Sequence, residues 1–158
     1  QKYDYRFNNS MILEERIYGY HTNELSSDLI NQIRVNPNFQ TNLVGTVLLC
    51  EITGLSDVQN PWNYVVTLEG EIVVIDFDRW KIPKKQDRDS MKVWAIKQFP
   101  ESPIKEEKYL ELLERRKTKL AAKIVQNQKE LSAVTKMFSL LHEERGHYLK
   151  QSIYRLLH

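Results

Sequence analysis

The chain of 158 residues is long enough for one domain with a single hydrophobic core, and its 41% apolar and 28% charged residues are those of a globular protein rather than a low-complexity one. Lys and Arg number 23 against 21 Asp and Glu, so net charge points to neither DNA nor anionic lipid, and any basic surface must be local. One cysteine, Cys50, rules out an intrachain disulfide, and no apolar run approaches the roughly 20 residues that span a bilayer.

Residues 1–22 are rich in Tyr, Asn and charge, with Met11-Ile12-Leu13 and Ile17-Tyr18 as apolar clusters, and read as loop plus a strand or short helix. The opening Gln1-Lys2-Tyr3-Asp4 has no initiator Met and reads as a processed chain or an excised fragment. From Ser26 or Ser27, either of which can cap a helix, Leu29, Ile30 and Ile33 recur at helical spacing until Asn36-Pro37 stops them. A second helix is expected from about Phe39 to Thr53, carrying Leu43, Val44, Val47, Leu48 and Ile52, with Gly54 as its stop. It is apolar nearly all round, so a central position is expected, with Cys50 a small buried hydrophobe inside it.

After Gly54 the period changes. Tyr64-Val65-Val66-Thr67 and Glu71-Ile72-Val73-Val74-Ile75 are β-branched and aromatic, and Leu68-Glu69-Gly70 between them predicts a hairpin. Residues 81–90 read as a polar, basic loop containing Pro83, and Ser90 as the cap of a short helix with Met91, Val93, Trp94 and Ile96 that ends at Phe99-Pro100. Beyond Pro103 the pattern is helical, to about Asn127 and then from Gln128 to the end. Leu110, Leu113, Leu120 and Ile124 are expected on one face of the first piece, and Leu131, Val134, Phe138, Leu141, Ile153 and Leu156 on one face of the second. The simplest arrangement is a helical hairpin kinked near Gly146, with Glu111, Arg115, Glu114 and Thr118 on its solvent side.

His142-Glu143-Glu144-Arg145-Gly146-His147 resembles a zinc-protease motif only superficially, because its histidines are five apart rather than four and leave the helix on different faces. Lys81, Lys84, Lys85 and Arg88 could attract phosphate or form an ordinary soluble loop. Trp62, Trp80 and Trp94 are scattered, as expected for packing rather than base stacking.

The stretch Asp57-Val58-Gln59-Asn60-Pro61-Trp62-Asn63, with Ile75-Asp76-Phe77-Asp78 after the hairpin, is the most informative. Asn63 and Asp76 lie thirteen residues apart, the length of two short strands and a turn, so the hairpin is expected to bring them to the same end. Oxygen donors without sulfur or imidazole suit Mg²⁺. The same residues also admit a structural reading, with Asp57 capping a loop, Asn63 bonding turn backbone and Asp76 pairing with a Lys or Arg.

The order helix, Asp57, Asn63, hairpin, Ile75-Asp76-Phe77 resembles the C-terminal lobe of atypical kinase-like phosphotransferases, such as lipid kinases, HipA-type kinases and kinase-like effectors of intracellular bacteria. The resemblance covers about residues 40–80. It implies an α+β, mostly α, protein-kinase-like C-lobe: a core over residues 1–103 and a C-terminal helical subdomain of the same domain over 104–158. It implies transfer of the ATP γ-phosphate to a protein or phosphoinositide hydroxyl with Mg²⁺. By that resemblance Asp57 orients or deprotonates the acceptor, Asn63 and Asp76 hold Mg²⁺, and Asn60 and Lys81 contact the nucleotide; Asp78 either adds a further metal carboxylate or stiffens the turn. The separation of Asp57 and Asn63 is six residues, one more than the usual pattern; Asp78 replaces the usual Gly, and no glycine-rich loop or phosphate-pairing strand Lys precedes Asp57. An N-terminal region or partner chain is therefore expected to complete the site. The setting implied is cytoplasmic, in the host cytosol for a secreted effector. The alternatives are a kinase-like pseudoenzyme and a noncatalytic helical interaction module, and a homodimer through the C-terminal helices is compatible with each.

Overall fold

The computed structural model describes residues 19–75, 79–100 and 103–158, together with the backbone of 4–5 and 11–12. Most of these are helical, with two small antiparallel sheets of two strands each. Strands β1 (Asp4–Tyr5) and β2 (Met11–Ile12) form one pair; β3 (Tyr64–Val66) and β4 (Ile72–Val74) form the other.

Helix α1 (Ser27–Arg34) begins where the side chain of Ser26 accepts from the Leu29 amide at 3.3 Å, and it buries Ile30 and Ile33. Asn36 then caps α2 (Pro37–Thr53), with Pro37 in the first turn, where its missing N–H leaves nothing unsatisfied. Helix α2 is the axis of the molecule. It buries Phe39, Leu43, Val44, Val47, Leu48 and Cys50, and α1, α3, α4, α6 and β4 pack around it, so an all-round apolar sequence has a partner on nearly every side. Gly54 ends it in the left-handed conformation, φ +72, which a side chain resists.

The β3–β4 hairpin turns as expected at residues 67–70, with Gly70 at φ +88 and its amide donating to the Thr67 carbonyl at 3.0 Å. The tip docks on the start of α2: the side-chain Nδ2 groups of Asn36 and Asn38 donate to the Glu69 carbonyl at 3.1 and 2.8 Å. Its far end therefore lies toward the chain that leaves α2.

Helix α3 (Lys85–Gln98) departs from expectation. Residues 85–90 are its first turns rather than a loop, and Ser90 lies inside it. The cause is Asp87, whose carboxylate accepts from the Lys84 amide at 2.8 Å and satisfies an otherwise orphaned donor six residues before the expected cap, Ser90.

Beyond it lie α4 (Lys105–Gln126), α5 (Gln128–Leu141) and α6 (Glu143–Leu157). Of the expected face of α4, Leu113 packs on the core around α2 and Leu120 and Ile124 on a second core, whereas Leu110 is 43% exposed and Tyr109 and Leu112 are buried instead. The break after Asn127 falls where expected, with its side-chain amide donating to the Lys123 carbonyl at 2.7 Å. Ile124, Leu149 and Ile153 form a second core with Leu131, Phe138 and Leu156, while Val134 and Leu141 face outward instead. The hairpin is α5 with α6, and the chain turns at the extended residue His142, not at Gly146. Gly146 is instead the crossing point: a Cβ there would lie 2.6 Å from Ser139 Cα.

In an open helix, Gly→Ala stabilises by about 1 kcal/mol. Gly146→Ala is expected to do the reverse, losing about 1–3 kcal/mol through overpacking against α5, as read by urea denaturation. A gain in stability would mean that α5 and α6 do not cross this closely.

Candidate functional site

The chain leaving Gly54 is stitched to the chain that follows the hairpin. The Lys81 amide donates to the Gly54 carbonyl at 2.8 Å, the Ser56 amide to the Arg79 carbonyl at 3.0 Å, and Leu55 and Trp80 form an isolated antiparallel bridge. On the other side, the Ile75 amide donates to the Asn63 carbonyl at 3.0 Å. The described residues flanking 76–78 are thus both tied to the loop that carries Asp57 and Asn63. The expected roles of Asp76 and Asp78 fall on residues outside those described.

Asp57 has φ +65, a left-handed conformation unusual for a side-chain-bearing residue. It is stabilised locally: its carbonyl accepts from the Asn60 amide at 3.2 Å and from Asn63 Nδ2 at 2.8 Å. Its carboxylate lies 3.3 Å from an Arg79 guanidinium nitrogen and 3.4 Å from Asn63 Nδ2. Both partners of the ion pair are largely exposed, so solvent screens it to roughly 0–1 kcal/mol and the carboxylate can be drawn away at little cost.

The orientation of Asn63 decides what it can do. Its NH₂ end faces the Asp57 carbonyl and carboxylate, both acceptors, so its Oδ1 is the end left for an outside partner. An amide oxygen held this way is a hard donor of the kind Mg²⁺ takes, and its chemistry fits that ion. Among the described residues no three His, Cys, Asp or Glu side chains converge on one point.

Two expected nucleotide contacts have structural work as well. Asn60 Oδ1 accepts from the Trp62 amide at 3.1 Å and caps the short 3₁₀ turn Pro61–Asn63. Lys81 Nζ lies 2.6 Å from Asp87 Oδ1. That bond, with the Lys84 amide second, holds the Asp87 carboxyl below the usual carboxylate range.

His21 was not anticipated from the sequence. Its Nδ1 lies 2.8 Å from the Pro61 carbonyl and 3.0 Å from the Tyr64 carbonyl, and both are acceptors, so Nδ1 carries the proton. Pro61 begins the turn that presents Asn63, and Tyr64 follows it. The imidazole also packs on the exposed Trp62 with ring centroids 4.9 Å apart, and Tyr20 exchanges two 2.9 Å backbone bonds with Val66. A His followed by a polar 3₁₀ turn carries no local signal for this contact, because the partners lie 40 and 43 residues away.

Beside Asp57 opens a cleft of about 230 Å³ between the Gly54–Gln59 loop and the start of α3. Cys50 borders it but is 4% exposed, and burial, with Glu51 second, pushes its thiol up to about 12. It is a packing residue rather than a nucleophile. At the opposite end of the loop, Trp80 meets the His142 ring edge-on at 4.6 Å, and the Arg145 guanidinium lies 5.7 Å from the Trp80 ring centroid. Among the described residues no helix is long and apolar enough to cross a membrane. No protein-family model matches the chain, and neither a curated protein nor a solved structure does.

Replacing His21 separates its donor from its ring. His21→Ala is expected to lower stability by about 1–2 kcal/mol in thermal unfolding followed by tryptophan fluorescence. His21→Asn, which keeps a donor near the Nδ1 position, should recover part of that loss. Equal losses in the two variants would assign the effect to packing on Trp62 alone.

Proposed function

We propose that the chain is the C-terminal, acceptor-side lobe of a kinase-like phosphotransferase that moves the ATP γ-phosphate to a protein or phosphoinositide hydroxyl. One observation carries the reading. The segment bearing Asp57 and Asn63 is bonded to the described residues on both sides of Asp76-Phe77-Asp78, through Ile75 to Asn63 and through Arg79 to Ser56. A sequence order that resembles a phosphotransfer site is thus accompanied by main-chain pairing that closes the loop on itself.

In this reading the acceptor oxygen forms a bond to the γ-phosphorus as the bond to the β,γ-bridging oxygen breaks. ADP leaves with that electron pair, and the hydroxyl proton passes to the Asp57 carboxylate. Asn63 Oδ1, with Asp76 and Asp78, would hold Mg²⁺, which when bound neutralises charge on the transferring phosphoryl group. His21 fixes the carbonyls of Pro61, which begins the Asn63 turn, and of Tyr64, which follows it, and Arg79 holds Asp57 until the acceptor arrives. Asn60 and Lys81 would contact the nucleotide, Lys81 by exchanging Asp87 for phosphate. A glycine-rich covering half would come from an N-terminal region or partner chain, in a cytoplasmic setting such as the host cytosol of a secreted bacterial effector.

The test uses the full-length protein with Mg²⁺ and radiolabelled ATP. Asp57→Asn accepts the left-handed backbone, so it should fold and bind nucleotide normally while transfer falls about 10²–10⁴-fold. Asn63→Ala and Asp76→Ala should weaken Mg²⁺-dependent ATP binding. Undiminished transfer by Asp57→Asn would overturn the assignment.

A second reading, a noncatalytic or pseudoenzyme interaction module, is favoured by a specific surface. On α5 the face away from α6 exposes Met137, Leu140 and Leu141, at 52%, 79% and 77%. A second copy of the chain covering that face would make a homodimer. Leu140→Glu is then expected to shift sedimentation from dimer to monomer, and a wild-type chain already monomeric at high concentration would sink this reading.

A further inference from the structure

The cleft beside Asp57 bears on which acceptor is used. We infer that the acceptor hydroxyl belongs to a polypeptide side chain and not to a phosphoinositide; this rests on the phosphotransfer reading above.

Size is the first argument. A cleft of about 230 Å³ lies below the roughly 300–1,000 Å³ of sites that enclose small molecules. It suits one side chain of a segment lying across the surface better than a whole polyphosphorylated headgroup.

Charge is the second. Anionic headgroups are gathered by clusters of roughly four or more Lys and Arg. Among the described residues the cleft has two cations, Lys81 and Arg88, and in the phosphotransfer reading Lys81 goes to the nucleotide, which leaves Arg88 for the acceptor. Glu51 and Asp57 stand on the same walls, so Arg88 is balanced by carboxylates rather than reinforced by other cations. A phosphorylated headgroup would enter against two carboxylates, with one unpaired guanidinium to meet it. A neutral serine or threonine hydroxyl meets no such opposition.

The floor is the third. Leu55 and Met91 are 5% and 8% exposed and present apolar surface at the cleft base. Met91 is the adaptable kind of side chain that accommodates varied aliphatic partners. The Gln59 and Ser90 side chains stand at the rim 3.5 Å apart, a long contact that leaves both able to turn toward a peptide main chain.

The experiment gives the full-length protein Mg²⁺ and radiolabelled ATP, with two acceptor sets in parallel: peptides carrying Ser or Thr, and phosphatidylcholine vesicles containing phosphatidylinositol or its monophosphates. Mg²⁺-dependent ATP binding is measured alongside by calorimetry. Label on peptide but not lipid is the expected result. Label on lipid, or ATP binding with no peptide label, overturns the inference and leaves the phosphotransfer reading standing. Absence of Mg²⁺-dependent ATP binding overturns both.

Discussion

Two main-chain bonds, from the Lys81 amide to the Gly54 carbonyl and from the Ser56 amide to the Arg79 carbonyl, draw together segments that enter and leave a long excursion of the chain. Without them the loop bearing Asp57 would be an open connection, and the hairpin would touch it only at Asn63. Gly54 makes the approach possible. A Cβ at that position would lie 2.7 Å from the Lys81 carbonyl oxygen, and the backbone there is left-handed besides. Helix termination and loop closure therefore depend on one residue having no side chain.

That pairing is anchored from several directions. Helix α2 supplies a rigid base because its buried side chains are gripped by the surrounding elements. The hairpin tip is tied to the start of α2, and its root to Asn63, so hairpin and helix hold the loop between them. The C-terminal helices add a third hold through His142 and Arg145 on Trp80, and the Tyr148 hydroxyl donates to the Glu51 carbonyl near the end of α2. The distal helices are thus physically continuous with the loop.

Much of this was legible because local chemistry and global fold agree. The all-round apolar run from Leu43 to Ile52 could only be central, and Gly54 and Gly70 stand where the backbone has positive φ. The failures share a cause, which is that the deciding partner is distant or a local cap was overlooked. Asp87 starts α3 early through a bond to the Lys84 amide. Tyr109 and Leu112, not Leu110, face inward because α2 sets the rotation of α4, and helical periodicity by itself leaves that angle open. Gly146 looked like a kink because glycine weakens helices, but its role is to admit Ser139. At the site, the bond from Asn63 to loop backbone is one the sequence admits, whereas His21 and Arg79 reach the loop by tertiary contact across chain separations that spacing cannot reveal.

The backbone of Asp57 carries a consequence of its own. Holding a residue with a Cβ in a left-handed conformation costs on the order of 1 kcal/mol or more, a penalty glycine escapes. For folding alone glycine would be the better occupant of position 57, and the loop would close as before through the Asp57 carbonyl's two bonds, which any residue's backbone can accept. What glycine cannot supply is the carboxylate. Backbone conformation and side chain pull in opposite directions at this one residue: the first favours glycine, and the second supplies the carboxylate that meets Arg79 and Asn63.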